Sequence, residues 1–113
     1  MPERLAFWAG EGCFHPQADA ELVEAVSYYG EIEKALGERF FQEMKRLVGE
    51  ISAHPKRFRL FDSLARRHFS DVFPYAVIYM ERDDHLWVVA FMHMKRRPDY
   101  WKERLVQTKN SPS

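Results

Sequence analysis

Two apolar arms separated by five polar residues constrain this chain more than any other feature. Phe73-Pro74-Tyr75-Ala76-Val77-Ile78-Tyr79-Met80 and Leu86-Trp87-Val88-Val89-Ala90-Phe91-Met92-His93 are rich in β-branched and aromatic side chains, which suit a pleated, half-buried surface. Glu81-Arg82-Asp83-Asp84-His85 between them is turn chemistry, so the stretch predicts a β-hairpin. In the second arm both alternating sets are largely apolar, with Leu86, Val88, Ala90 and Met92 on one side and Trp87, Val89 and Phe91 on the other. Neither face can then be fully solvated, and each needs a cover. Immediately after the hairpin, Met94-Lys95-Arg96-Arg97-Pro98-Asp99-Tyr100-Trp101 joins three cations to a proline suited to the first turn of a short helix. The packed sheet is expected to end in a basic, aromatic rim.

The rest of the chain supplies the cover. Its 113 residues make one domain with a modest single core. Residues 1–12 have no clear period and read as an N-terminal extension. Cys13 to Pro16 reads as an edge strand, where a proline's missing donor is tolerated. From Ala18 the period becomes helical, with Leu22, Val26, Tyr29 and Leu36 in step and Asp19, Glu21 and Glu24 favouring the positive N-terminal end. Gly37 is expected to break this helix. A second helix runs from about Glu38, with Phe40, Phe41, Met44, Leu47, Val48 and Ile51 on one side, and stops before Pro55. Two helices so close in sequence form an antiparallel hairpin, the natural cover for one face of the sheet. Pro55 to Ser63 reads as a basic connector, Leu64 to Val72 as a further strand, Pro98 to Arg104 as the short C-terminal helix and residues 106–113 as a polar tail. The fold class expected is α+β, an antiparallel sheet covered on one face by an N-terminal helix hairpin, with the opposite face concave, basic and open.

Charge is balanced overall but polarised along the chain. Residues 1–54 carry five Lys/Arg against ten Asp/Glu, and residues 55–113 carry twelve against seven. Such a molecule suits a polyanion or an acidic protein, and a solvated surface without partner meaning is the alternative. The lone Cys13 excludes an internal disulfide framework, and the five histidines lack ligand spacing, so neither a structural metal nor a cofactor is expected. No apolar run reaches the roughly 18 residues of a spanning helix, and the N-terminal stretch lacks a signal-peptide layout. These features predict a protein of a reducing cytoplasm, neither exported nor membrane-bound.

The order strand, helix hairpin and three antiparallel strands carries residues that resemble the RelE/ParE superfamily of bacterial toxins. They are Ala18-Asp19-Ala20-Glu21-Leu22 with Tyr28-Tyr29, Gly37 with Phe40-Phe41, and Pro55, followed by Arg66-Arg67, Phe73-Pro74-Tyr75 with Ile78-Tyr79, His93, Arg97-Pro98, Tyr100-Trp101 and Arg104. The resemblance covers about Cys13 to Arg104 and places a toxin domain at 13–105. Within the superfamily it is closest to the ParE-like, plasmid-stabilisation branch, because Phe-Pro-Tyr precedes the central strand. The ribonuclease branch carries Tyr-Arg where this chain has Tyr75-Ala76. The resemblance therefore implies the toxin of a type II toxin-antitoxin pair, bound by an antitoxin encoded in an adjacent gene and acting on DNA gyrase without performing chemistry. A ribosome-dependent messenger-RNA endonuclease and a non-toxic binding module on the same scaffold are the alternatives.

Site candidates follow from the cations near the strand ends. Arg66, Arg67, Lys95, Arg96, Arg97 and Tyr100 are candidates for contact with the target or the antitoxin, and the hairpin is expected to gather Arg66, Arg67, His93, Lys95, Arg96 and Arg97 at one side of the sheet. If the chain is an endonuclease, Arg67, His93 and Arg97 are the catalytic candidates, because cations neutralise developing charge and a histidine exchanges protons near neutrality. The structural alternative makes Lys95 to Arg97 a solvated turn and His93 a strand-end residue fixing it. Tyr100 suits either stacking on a base or anchoring, Trp101 suits anchoring, and Tyr28, Tyr29, Phe40 and Phe41 are read as packing between the helices.

Overall fold

A computed structural model describes residues 13–60, 65–82 and 85–109 of the chain. The expected extension at 1–12, the end of the basic connector at 61–64, the hairpin tip at 83–84 and the tail end at 110–113 lie outside the described residues. The elements are β1 (Cys13–Phe14), α1 (Pro16–Ile32), α2 (Lys34–Ala53), β2 (Arg59–Leu60), β3 (Arg66–Phe69), β4 (Tyr75–Arg82), β5 (His85–His93) and α3 (Lys102–Lys109). The sheet order is β1-β5-β4-β3-β2, with the pairs β2–β3, β3–β4 and β4–β5 antiparallel. The short edge strand β1 is parallel to β5, a departure from a wholly antiparallel sheet. The expected α+β arrangement is present.

Local chemistry explains where the element bounds differ from expectation. Helix α1 starts at Pro16 rather than Ala18, because His15 is its N-cap: the imidazole Nδ1 accepts from the Gln17 amide at 3.1 Å and Pro16 fills the first helical position. Burial first, and then Arg104, hold the His15 pKa below its ordinary value, which keeps Nδ1 available as an acceptor. Strand β2 forms within the stretch read as a connector. Strand β3 is shorter than expected, since Ser70 Oγ accepts the Val72 and Phe73 amides at 3.0 Å each and turns the chain out of the strand. The last helix starts at Lys102, later than Pro98, because residues 97–104 first close turns from Tyr100 to Arg97 and from Lys102 to Asp99. It then continues to Lys109, into the stretch read as tail.

The break between the long helices falls at Glu33, whose φ of −160° and ψ of 131° are extended, and not at Gly37. Gly37 is buried inside α2 and serves close approach instead: a Cβ there would lie 2.8 Å from Gly30 Cα and 2.9 Å from Val26 O. A Cβ on Gly30 would meet nothing within 4 Å. The two glycines therefore predict opposite signs. Gly37→Ala forces the helices apart, an overpacking cost of about 1–3 kcal/mol that the roughly 1 kcal/mol gain in helix propensity does not cancel. Gly30→Ala keeps the propensity gain and should raise the melting temperature, whereas Gly37→Ala should lower it. Equal shifts in thermal melts would contradict this packing.

Two clusters sandwich the sheet. On the helix side, Leu22, Phe40, Met44, Leu47, Val48 and Ile51 pack on Val77, Tyr79, Val88 and Phe91. On the other side, Ala65, Ala76, Ile78, Val89, Ala90 and Met92 pack with Trp101. That second face is thus closed at its centre, contrary to the expectation of an open face, because Trp101 is fully buried on it and its indole donates to Pro98 O at 2.7 Å. Strict alternation along β5 also fails. Ile78 pairs with Ala90 and Tyr79 with Val88, so Val89 is an extra residue and the strand changes phase. Leu86 and Val88 face the helices before the bulge, and Phe91 does after it. Both expected arms are doubly buried, as their composition requires.

Candidate functional site

The register decides which candidate side chains can meet. Cross-strand partners share a face. Arg66 is opposite Tyr79 on the helix side, and its Nη1 donates to Phe58 O at 2.9 Å, tying β3 to the connector that follows α2. Arg67 is opposite Ile78 on the Trp101 side, with its guanidinium 5.1 Å from the Phe69 ring centroid. His93 is opposite Tyr75 on the helix side, edge-on to that ring at 5.0 Å between centroids. Arg67 and His93 therefore project to opposite faces and lie about 10 Å apart along the strand direction at 3.3 Å per residue. The expected gathering of these residues at one side of the sheet does not occur, because a one-residue offset in register reverses a side chain's face.

What does assemble is the rim after β5. His93 Nδ1 accepts from the Lys95 amide at 3.0 Å, and the Arg96 amide donates to His93 O at 2.9 Å, so His93 fixes the turn. The Arg96 guanidinium lies 3.9 Å from the Tyr100 ring centroid. Arg97 has its side chain 71% exposed and pairs with Asp99 at 3.1 Å, and Lys95 is exposed beside it. Arg96 stands between two concavities. One is a groove of about 420 Å³ lined by Glu24, Tyr28, Tyr29, Tyr75, His93 and Arg96. The other is a polar cleft of about 390 Å³ with Gln17, Arg97, Tyr100, Glu103 and Arg104 as its further walls. Burial pushes the Tyr75 hydroxyl up to about 12 and also raises Tyr29, so both are protonated donors at neutral pH. Tyr28, expected between the helices, is 61% exposed at this groove, while Tyr29 stacks on Phe40 in the core.

Beneath the rim is a hub that the sequence does not announce. Glu21 accepts from Arg104 at 3.0 and 2.7 Å, from the Tyr100 hydroxyl at 2.6 Å and from the Phe91 amide at 3.0 Å. Arg104 also donates to Val89 O at 2.9 Å. Among the described residues β1 pairs with β5 at Trp87 and Val88, and this ion pair serves the next edge groups, Val89 C=O and Phe91 N–H, in place of a neighbouring strand. Burial would lower the Arg104 pKa, but the Glu21 carboxylate outweighs it and holds the guanidinium above its ordinary value. In the sequence Glu21 is an acidic residue near a helix start, and although it and Arg104 both stand among the residues that carry the resemblance, nothing there pairs them. Its partner is 83 positions away, and no local spacing links them.

A second polar network ties α2 to β3. Glu43 accepts from Arg46 Nε at 2.9 Å and from Ser70 Oγ at 2.7 Å, and Glu50 meets His68 Nε2 at 2.7 Å. The Arg46 hydrogen bond holds the Glu43 pKa below its ordinary value, and the His68 contact does the same for Glu50. A lowered carboxylate pKa contributes stability that is present above the unfolded value, about 4.3, and lost as pH falls through the lower folded value. Acid titration of the melting temperature should therefore show a loss below about pH 4.3 that Glu43→Gln flattens. An unchanged acid limb in that variant would contradict the assignment.

Among the described residues no three His, Cys, Asp or Glu side chains form a metal-binding group, and no helix is long and apolar enough to cross a membrane. Among curated proteins nothing matches the chain. The family model for the ParE toxin of type II toxin-antitoxin systems, parDE, matches residues 13–98, which runs from β1 through β5 to the proline of the rim. The chain belongs to the ParE toxin family of type II toxin-antitoxin systems.

Proposed function

We propose that this toxin inhibits DNA gyrase by binding, without chemistry of its own, and that an antitoxin encoded beside it neutralises it in a bacterial cytoplasm, the pair serving plasmid stabilisation. The family match carries the toxin assignment, and position 76 carries the choice of mechanism. The ribonuclease branch of the superfamily, unlike the ParE-like branch that the chain resembles, has an arginine after the tyrosine of the central strand. Here Ala76 takes that place, fully buried opposite Met92. The separation of Arg67 from His93 also favours binding, since an acid and a base for one scissile bond must reach the same atoms. Arg67, on the Trp101 face, and the rim of Lys95, Arg96, Arg97 and Tyr100 are the residues we assign to the target or the antitoxin.

A type II system implies an antitoxin partner. Tyr28 and Ile32, each 61% exposed on α1, are apolar surface that a wrapping antitoxin segment would bury. Such a segment, ordered on binding and crossing the helix hairpin and the basic rim, should bury more than the roughly 1,600 Å² of a standard complex. Co-expression with the adjacent gene should give a copurifying complex and restore growth. If neither happens, the antitoxin reading is wrong.

The target is tested by inducing the chain alone in a bacterial host. Filamentation with DNA damage supports gyrase. Immediate translational arrest with cut messages supports the endonuclease, which the Arg96–Tyr100 stack beside the polar cleft would suit. Unimpaired growth supports the non-toxic module.

A further inference from the structure

The hub under the rim joins two features otherwise unconnected, a carboxylate of the first helix and the arginine that stands between the two concavities. Arg96 is exposed, and its main-chain turn does not fix a long side chain that samples many rotamers. Its guanidinium rests on the Tyr100 ring at 3.9 Å. That ring is half-buried, and its hydroxyl donates to Glu21 Oε2 at 2.6 Å, while Arg104 sits 4.9 Å from the same ring centroid and grips the same carboxylate. Three side chains from separate parts of the chain thus converge on one ring. None of the groups needs the others merely to satisfy its charge, because Glu21 and Arg104 already form a bidentate pair and Arg96 is open to water. The hydroxyl contact adds orientation of the ring.

We infer that Glu21 is a positioning residue for the toxic surface: by anchoring Tyr100 it holds the Arg96 guanidinium in one pose between the groove and the cleft. The inference rests on the reading that the rim contacts the target. It assigns Glu21 no contact with that target.

Substituting Glu21 itself also breaks a buried ion pair, so the test uses Tyr100→Phe, which keeps the ring and the Glu21–Arg104 pair and removes only the hydroxyl. Two quantities are read, the amount of toxin needed to arrest growth and the Arg96 side-chain Nε–H resonance, which the ring current of Tyr100 shifts upfield. With the variant still folded by circular dichroism, the expected result is about a tenfold higher toxin level for the same arrest, the effect of one hydrogen bond to a charged group. The Arg96 resonance should move toward that of an exposed arginine. The inference is overturned if Tyr100→Phe keeps full potency while Arg96→Ala loses it, because the rim then matters and its anchoring does not. It is also overturned if potency falls with the Arg96 resonance unmoved, since the hydroxyl would then act on the target directly. Full potency in Arg96→Ala overturns the underlying rim reading and takes this inference with it.

Discussion

Arg104→Ala is expected to lower the free energy of unfolding by about 3–5 kcal/mol, because removing one partner of a buried pair leaves the other charge uncompensated. The Arg104 and Glu21 side chains are only 8% and 15% exposed, so water replaces the lost contacts poorly. The Val89 carbonyl loses its donor as well, at the open edge of β5. Against a typical total of about 5–15 kcal/mol, this is about a fifth or more of what holds a small domain folded. Urea unfolding of the variant measures it directly. Glu21→Ala should cost a similar amount, and the double variant clearly less than the two together, since it removes both charges. A loss below about 1 kcal/mol for Arg104→Ala would place the pair among ordinary surface bridges and contradict its role as a substitute strand.

The second large effect is on toxicity rather than stability. The double variant Arg67→Ala/Arg97→Ala should abolish growth inhibition while leaving the fold intact. Arg97 is solvated and its ion pair is with exposed Asp99, so its removal should stay within about 0.5 kcal/mol. Arg67 costs more than a bare surface charge, because its stem is half-buried and its guanidinium lies over Phe69 at 5.1 Å, a contact of about 0.5–1 kcal/mol. The total of about 1 kcal/mol corresponds to a melting shift of roughly 4–8 °C. A toxin that stays fully inhibitory in the double variant would remove both residues from the functional surface.

The elements themselves were legible because their periods are strong. The helix hairpin, β4 and β5 follow from apolar spacing, and the double burial of β5 follows from its two apolar sets. What was not legible depends on distance or on a single residue. The Val89 bulge leaves composition unchanged and still reverses which side chains face the helices. Gly37 has the chemistry of a breaker, yet it is used for helix contact, and only the nearness of Gly30 distinguishes the two uses. Anchoring by Trp101 was legible, and it is what closes the second face, whereas the Glu21 hub depends on distant partners from β5 and the C-terminal segment. At the site, the sequence groups Arg66 and Arg67 with His93 and Lys95 to Arg97, whereas His93 to Arg96 form one turn and Arg67 belongs to the other face. Strand register, which the connector at 55–63 does not reveal, makes that difference.

The central claim, that this ParE-family toxin acts on gyrase by binding, is tested most directly with purified chain, gyrase and plasmid DNA, beside a translation reaction programmed with a defined message. The account predicts that supercoiling is inhibited and gyrase-cleaved DNA accumulates, while the message stays intact on the ribosome. Normal supercoiling together with a message cut in the ribosome would contradict it and establish the endonuclease instead.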